Sequence, residues 1–184
     1  KTSSPYNVKF ACLTLSQTTS GGPNTIGTST TIDSTQCPYQ RKTFYANGRY
    51  WVFYNDGSQM VYRTSTDGTT WSSATPVGSV TVAGSSFSVC FDGTYVHYAN
   101  STGSAGGGGS LFYRRGTPNG DGSITWNPSQ GIGTADGWPW YPSISVDANG
   151  YPWIGYLDGI WAYVVKSSTK DGTWTTDTGF PYQL

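Results

Sequence analysis

The stretch Ser65-Thr66-Asp67-Gly68-Thr69-Thr70-Trp71 returns twice in weaker form, as Asp121-Gly122-Ser123-Ile124-Thr125-Trp126 and as Asp171-Gly172-Thr173-Trp174. The three aspartates stand 54 and 50 residues apart, at the long end of the periods found in repeat architectures. Each copy is an Asp-Gly turn that follows a run of alternating apolar and polar residues and closes on a tryptophan. Alternation with a period of two marks a half-buried strand. The chain is therefore expected to build itself from β units, each carrying the same turn.

The units can be walked in order. Residues 1–40 hold two strand-like runs, Tyr6 to Ser16 and Asn24 to Asp33, joined by a polar loop with the breaker Gly21-Gly22-Pro23, which reads as a hairpin or partial unit. Residues 41–83 give the cleanest unit: Thr43 to Ala46, the turn Asn47-Gly48, the aromatic run Tyr50 to Tyr54, the turn Asn55-Asp56-Gly57, Met60 to Thr64, the motif, and a last run Ser72 to Val82. Asn-Gly between alternating runs is a strong hairpin signal, because both residues tolerate positive φ. Residues 84–134 repeat the order with Phe87 to Phe91, Tyr95 to Tyr98, a long loop Asn100 to Ser110 and Leu111 to Arg115. Residues 135–184 do so with Ser143 to Val146, Tyr151 to Tyr156 and Gly159 to Val165. The expected fold is all-β: a propeller-type array of four-stranded antiparallel blades, three clear blades plus an amino-terminal hairpin, in one domain.

Composition supports strands and narrows the partners. All ten acidic residues are aspartate, charged residues make up 11%, and formal net charge is zero. That leaves no electrostatic footprint for nucleic acid or an anionic membrane surface, and no apolar run is long enough to insert in a bilayer. The chain begins at Lys1 rather than methionine, which reads as a processed or excised mature chain. Cys12 and Cys37 flank a loop-rich segment and are candidates for a disulfide, tilting the expected location to the secreted or cell-surface compartment. Asn100-Ser101-Thr102 has the glycosylation acceptor pattern. Cys90, in an apolar run, reads as a small core residue.

The pattern around Ser65, Asp67, Gly68 and Trp71 resembles the Asp box, or bacterial neuraminidase repeat, of sialidase-like β-propellers, one residue short; Asp121 with Trp126 and Asp171 with Trp174 are partial copies. The resemblance covers about residues 41–184. It implies a propeller fold and a structural role for these residues. Physically, the aspartate accepts turn amides, glycine supplies positive φ, and tryptophan buries against the next layer.

Antiparallel blades place the motif turns and the Asn47-Gly48, Asp92-Gly93 and Asn149-Gly150 turns on one tight face. The opposite, linker face collects Tyr39 and Arg41 from one linker, Trp138, Trp140 and Tyr141 from another, and Asp56 and Asp158 from turns. Aromatic rings cover the apolar faces of sugars while fixed polar groups bond hydroxyls, so these seven are the candidate ligand-binding residues. The competing reading packs Trp138-Pro139-Trp140-Tyr141-Pro142 into a neighbouring blade or subunit interface.

Catalysis finds little footing. The resemblance implies that a sialidase needs an arginine triad, a tyrosine activated by glutamate and an aspartate acid, and this chain has no glutamate. Asp56 and Asp158 could form a glycosidase carboxylate pair, but spacing in sequence does not give their separation. His97, the single histidine, reads as a hydrogen-bonded strand residue rather than a metal ligand. No cofactor and no metal are expected.

Three blades and a hairpin fall short of an obvious closed ring. Completion by another chain or by a further segment is expected over a degenerate fourth blade, since an open blade edge invites pairing. The reading that results is a non-catalytic extracellular module that binds glycans or further copies of itself through linker-face aromatics. A self-assembling surface or filament protein is the alternative, and a fragment of a sialidase-like glycoside hydrolase the second.

Overall fold

The computed structural model describes residues 6–9, 24–31, 34–35, 37, 40–78, 86–102 and 108–184. Among these no helix occurs, and the strands assemble into three antiparallel meander sheets and one short hairpin. The hairpin pairs β1 (Tyr6–Lys9) with β2 (Thr25–Ser29). The first blade is β3 (Thr43–Ala46), β4 (Arg49–Asn55), β5 (Met60–Ser65) and β6 (Thr75–Pro76), in sequential order. The second is β7 (Phe87–Phe91), β8 (Val96–Ser101) and β9 (Leu111–Pro118), with β10 (Ile124–Trp126) and β11 (Gln130–Ile132) sharing the outer edge of β9. The third is β12 (Pro139–Val146), β13 (Pro152–Asp158), β14 (Trp161–Lys166) and β15 (Tyr182–Gln183).

The expected all-β array of four-stranded blades is thus the fold. Asn47 and Gly48 carry φ of 52° and 73°, the double positive φ that a tight two-residue hairpin requires. The outermost strands are shorter than expected: the run Ser72 to Val82 yields only β6 among the described residues. An outer strand pairs on one side only, so little sequence pattern constrains its length.

The core lies between blades. Trp51, Phe53, Met60 and Tyr62 of the first blade meet Phe87, Val89 and Tyr98 of the second. Ala99, Leu111 and Tyr113 on the second blade's other face meet Ile144, Ile154, Tyr156 and Val165 of the third. Each seam buries several large side chains, each contributing about 1.5–3 kcal/mol. The hairpin and the residue after it approach the first blade at the end of β4: a Cβ on Gly27 would fall 2.3 Å from the Tyr54 hydroxyl, and the Thr30 amide donates to the Asp56 carbonyl at 3.1 Å.

The motif turns behave as caps on the tight face. The Asp67 carboxylate accepts from the amides of Thr69 and Thr70 at 2.7 Å each, while buried Ser65 Oγ donates to it at 2.9 Å and accepts from the Gly68 amide at 2.8 Å. Those amides, with the Ser65 hydroxyl, hold the Asp67 carboxyl well below the usual carboxylate range. Asp121 and Asp171 accept from Ser123 and Thr173 in the same way. Preceding blades clasp the turns: Arg49 Nε donates to the Gly120 carbonyl at 2.8 Å and Arg115 Nη1 to the Lys170 carbonyl at 2.8 Å. Trp126 and Trp174 pack at the margins of the two seams.

Several expectations are corrected. Asn100 is not in a polar loop; it lies in β8 with 4% of its surface exposed, and its Nδ2 has no hydrogen-bond partner. A glycan cannot be carried on an amide sealed inside the sheet. Cys37 is a buried free thiol, while Cys12, its expected partner, lies outside the described residues, so the disulfide finds no support here. Asp56 caps its own turn, accepting from the amides of Ser58 and Gln59 at 2.8 and 2.9 Å.

Candidate functional site

The linker that opens the third blade carries the aromatics singled out above, and its backbone is held from three directions. Asp158, the last residue of β13, has no exposed surface; its Oδ2 accepts from the Asp136 amide at 2.8 Å and its Oδ1 from the Trp138 amide at 2.7 Å. From the second blade, Ser101 Oγ donates to the Pro139 carbonyl and Ser86 Oγ accepts from the Tyr141 amide at 2.7 Å. From the linker before the first blade, Gln40 Nε2 donates to the Pro142 carbonyl at 2.6 Å. Gln40, Ser86, Ser101 and Asp158 are all buried. Buried polar groups must be paired, and here each pairs with the backbone of residues 136–142. Tyr141 is held at φ 50°, a left-handed conformation that costs a residue other than glycine about 1–3 kcal/mol and persists only where its surroundings impose it.

The side chains on this pinned backbone divide: Pro139 and Pro142 are buried, and the aromatics reach the surface to different extents. Trp138 is 40% exposed, and Trp140 and Tyr141 are half-buried and meet edge to face at 6.1 Å. The neighbouring turn between β13 and β14 adds Ile160 at 85% and Trp161 at 51% exposure. Pro139 pairs with Asp158 and Asp158 with Trp161 across the three strands, so both exposed tryptophans stand at the same end of one blade. Tyr182 and Leu184 extend this apolar surface along the outer strand, with the Leu184 amide donating to the Ala162 carbonyl at 2.9 Å. Of the six large apolar residues exposed among the described residues, only Tyr45 lies outside the third blade.

The other predicted residues divide. Arg41 is exposed, its Nη1 donating to Cys90 Sγ at 3.9 Å; Tyr39 lies outside the described residues. Asp56 is spent on its own turn. Asp158 belongs to the site but cannot contact a ligand, because both its oxygens face backbone amides from full burial. The two carboxylates therefore do not form an exposed acid and base pair. Ile160 and Trp161 were not singled out from sequence, where a run of apolar residues after a turn reads as a core strand; their place directly after Asp158-Gly159 was the available signal.

One constellation resembles catalytic machinery and is not. Cys90 is the cross-strand partner of His97, whose Nε2 lies 2.9 Å from Asp92 Oδ2 and whose Nδ1 lies 2.9 Å from the Tyr113 hydroxyl. Burial raises Asp92, but the Tyr95 amide, the His97 side chain and the Thr94 amide outweigh it and the carboxyl falls below its ordinary range. Burial pushes His97 down despite Asp92 and pushes the Cys90 thiol up. The neutral imidazole donates from Nε2 to Asp92 and accepts at Nδ1 from Tyr113, so no nitrogen remains to activate the thiol. His97 is the hydrogen-bonded strand residue expected from sequence. Among the described residues, no group of three or more His, Cys, Asp or Glu is placed to hold a metal ion.

No protein-family model matches the chain, and no curated protein matches it. Among solved structures, the endo-arabinase from Bacteroides thetaiotaomicron VPI-5482 is similar at 15% identity and a TM-score of 0.44, over 77% of this chain and 60% of that one. The chain spans less than two thirds of that protein's length.

Proposed function

We propose that the chain is a non-catalytic, propeller-type binding module that takes carbohydrate on an aromatic platform at the linker end of its third blade. The observation that carries this reading is the pinning of residues 136–142 by the buried side chains of Gln40, Ser86, Ser101 and Asp158. Four buried polar groups and a strained Tyr141 hold a segment that leaves Trp138 exposed and Trp140 and Tyr141 half-buried. Packing alone does not call for that investment, whereas binding does, because rings fixed before the encounter lose little entropy on it. Tryptophan faces suit the apolar C–H faces of sugar rings. The exposed side chains of the patch are uncharged apart from Asp136, and a lone carboxylate likewise favours neutral saccharides over sialic acids. The three motif turns are read as Asp boxes with a purely structural part, and the secreted or cell-surface location accompanies this reading.

Affinity electrophoresis through gels containing xylan, galactomannan or hydroxyethyl cellulose tests it. The wild-type chain is retarded by at least one of them, and Trp138→Ala, which removes a side chain the core does not use, weakens the retardation without abolishing it. Unretarded wild type in all three, together with a blank glycan array, refutes the proposal.

The exposure of Ile160, Tyr182 and Leu184 on the same blade favours a second reading, in which further copies of the chain cover that surface. Light scattering separates the two: a concentration-independent multiple of the 19.8 kDa chain mass that Ile160→Asp reduces to a monomer supports assembly.

A further inference from the structure

We infer that Asp158 is the positioning residue of the platform: it sets ligand affinity by fixing the Trp138 backbone, without touching the ligand. The inference rests on the carbohydrate reading above. The last residues of the second strands, Asn55, Ser101 and Asp158, are all buried and polar, yet only the third blade places a charge there. Asp158 is the one carboxylate buried among the described residues. The other turn aspartates work locally and near solvent: Asp56, Asp92 and Asp147 accept from amides two to four residues ahead. Asp158 instead reaches back to amides 20 and 22 residues earlier in the chain. Those amides flank Gly137 at φ 78°, and amides on either side of a left-handed residue make a concave nest suited to an anion. The occupant of this nest is the chain's own carboxylate. A buried charge is costly unless well bonded, and both bonds here go to the segment that displays Trp138.

Asparagine at this position keeps the shape but offers one oxygen, and its NH2 would face a backbone N–H. Asp158→Asn is therefore expected to speed amide hydrogen exchange at Asp136 and Trp138 at least tenfold, with exchange in the core strands unchanged. It is also expected to weaken binding to the polysaccharide that retards the wild type by about tenfold. In a Trp138→Ala background it costs no further affinity, since the effect runs through that ring; a general structural role would give additive losses. Gly137→Ala strains the same nest while leaving the carboxylate and meeting no neighbour within 4 Å, and is expected to act in the same direction should Asp158→Asn fail to fold. Unchanged exchange in both variants overturns the pin. Faster exchange with undiminished affinity, or additive losses in the double variant, overturns its coupling to the ligand. A wild type that binds no polysaccharide while exchange still responds to Asp158→Asn marks a different failure, that of the carbohydrate reading and with it of the positioning role.

Discussion

Lys42 gives the most demanding test of the fold's electrostatics. Its side chain is buried where the linker before the first blade meets the start of the second; Nζ donates to Gln40 Oε1 at 2.9 Å and to the Phe87 carbonyl, and sits 3.6 Å from the Phe87 ring centroid. Burial pulls the amine from its ordinary 10.5 down to about 7, against an opposing pull from Cys37. The folded chain therefore releases this proton near neutrality, while the unfolded chain keeps it until about pH 10.5. Between those limits the unfolded state binds more protons, so stability rises with pH, by about 1.4 kcal/mol per unit for one proton. From pH 7 to 9.5 the gain is about 3 kcal/mol. Cys90 works the other way: burial raises its folded value, so its contribution fades as pH climbs through the unfolded thiol range. Comparison with Lys42→Met isolates the lysine, because both chains keep Cys90. Urea unfolding followed by tryptophan fluorescence between pH 6.5 and 9.5 is the assay. The gap in stability favours Lys42→Met most at low pH and narrows by about 3 kcal/mol across the range. Parallel pH profiles for the two chains refute the reasoning.

His97 carries an acid-side counterpart. Its folded pKa lies below the unfolded value because of burial, so its stabilising contribution is present above about pH 6.5 and lost as pH falls below it; a melting series from pH 7.5 to 5 should show that loss in wild type and a flatter limb in His97→Gln. Ile154 is fully buried in the seam between the second and third blades. Ile154→Ala is expected to cost about 2–5 kcal/mol, read as a lower urea midpoint with an unchanged slope.

Legibility in the sequence follows how local each cause is. The inner strands were readable because tight turns such as Asn47-Gly48 sit between alternating runs, and the motif turns because Asp67 bonds amides only two and three residues on. Trp138, Trp140 and Tyr141 stood out because residue type and the alternation of antiparallel strands together place aromatics in a linker opposite the tight turns. What holds them did not: Gln40 reaches Pro142 across 102 residues and Ser86 reaches Tyr141 across 55, and glutamine and serine give no sign of such partners in a chain rich in polar residues. Asp158 was found for the wrong reason, as a ligand contact, because an aspartate before glycine reads as an exposed turn. Asn100 failed in the opposite sense: the triplet pattern drew it into the loop, while the strand Val96–Ser101 ran three residues past the last aromatic, Tyr98.

The central claim is that the pinned aromatics at one end of the third blade bind carbohydrate. Glycan-array binding by the wild type and by the Trp138→Ala/Trp161→Ala double variant, with melting temperatures matched, tests it most directly. The account predicts a defined set of neutral glycans bound by the wild type and lost in the variant. A wild type that binds none, or a variant that binds them as well, contradicts it.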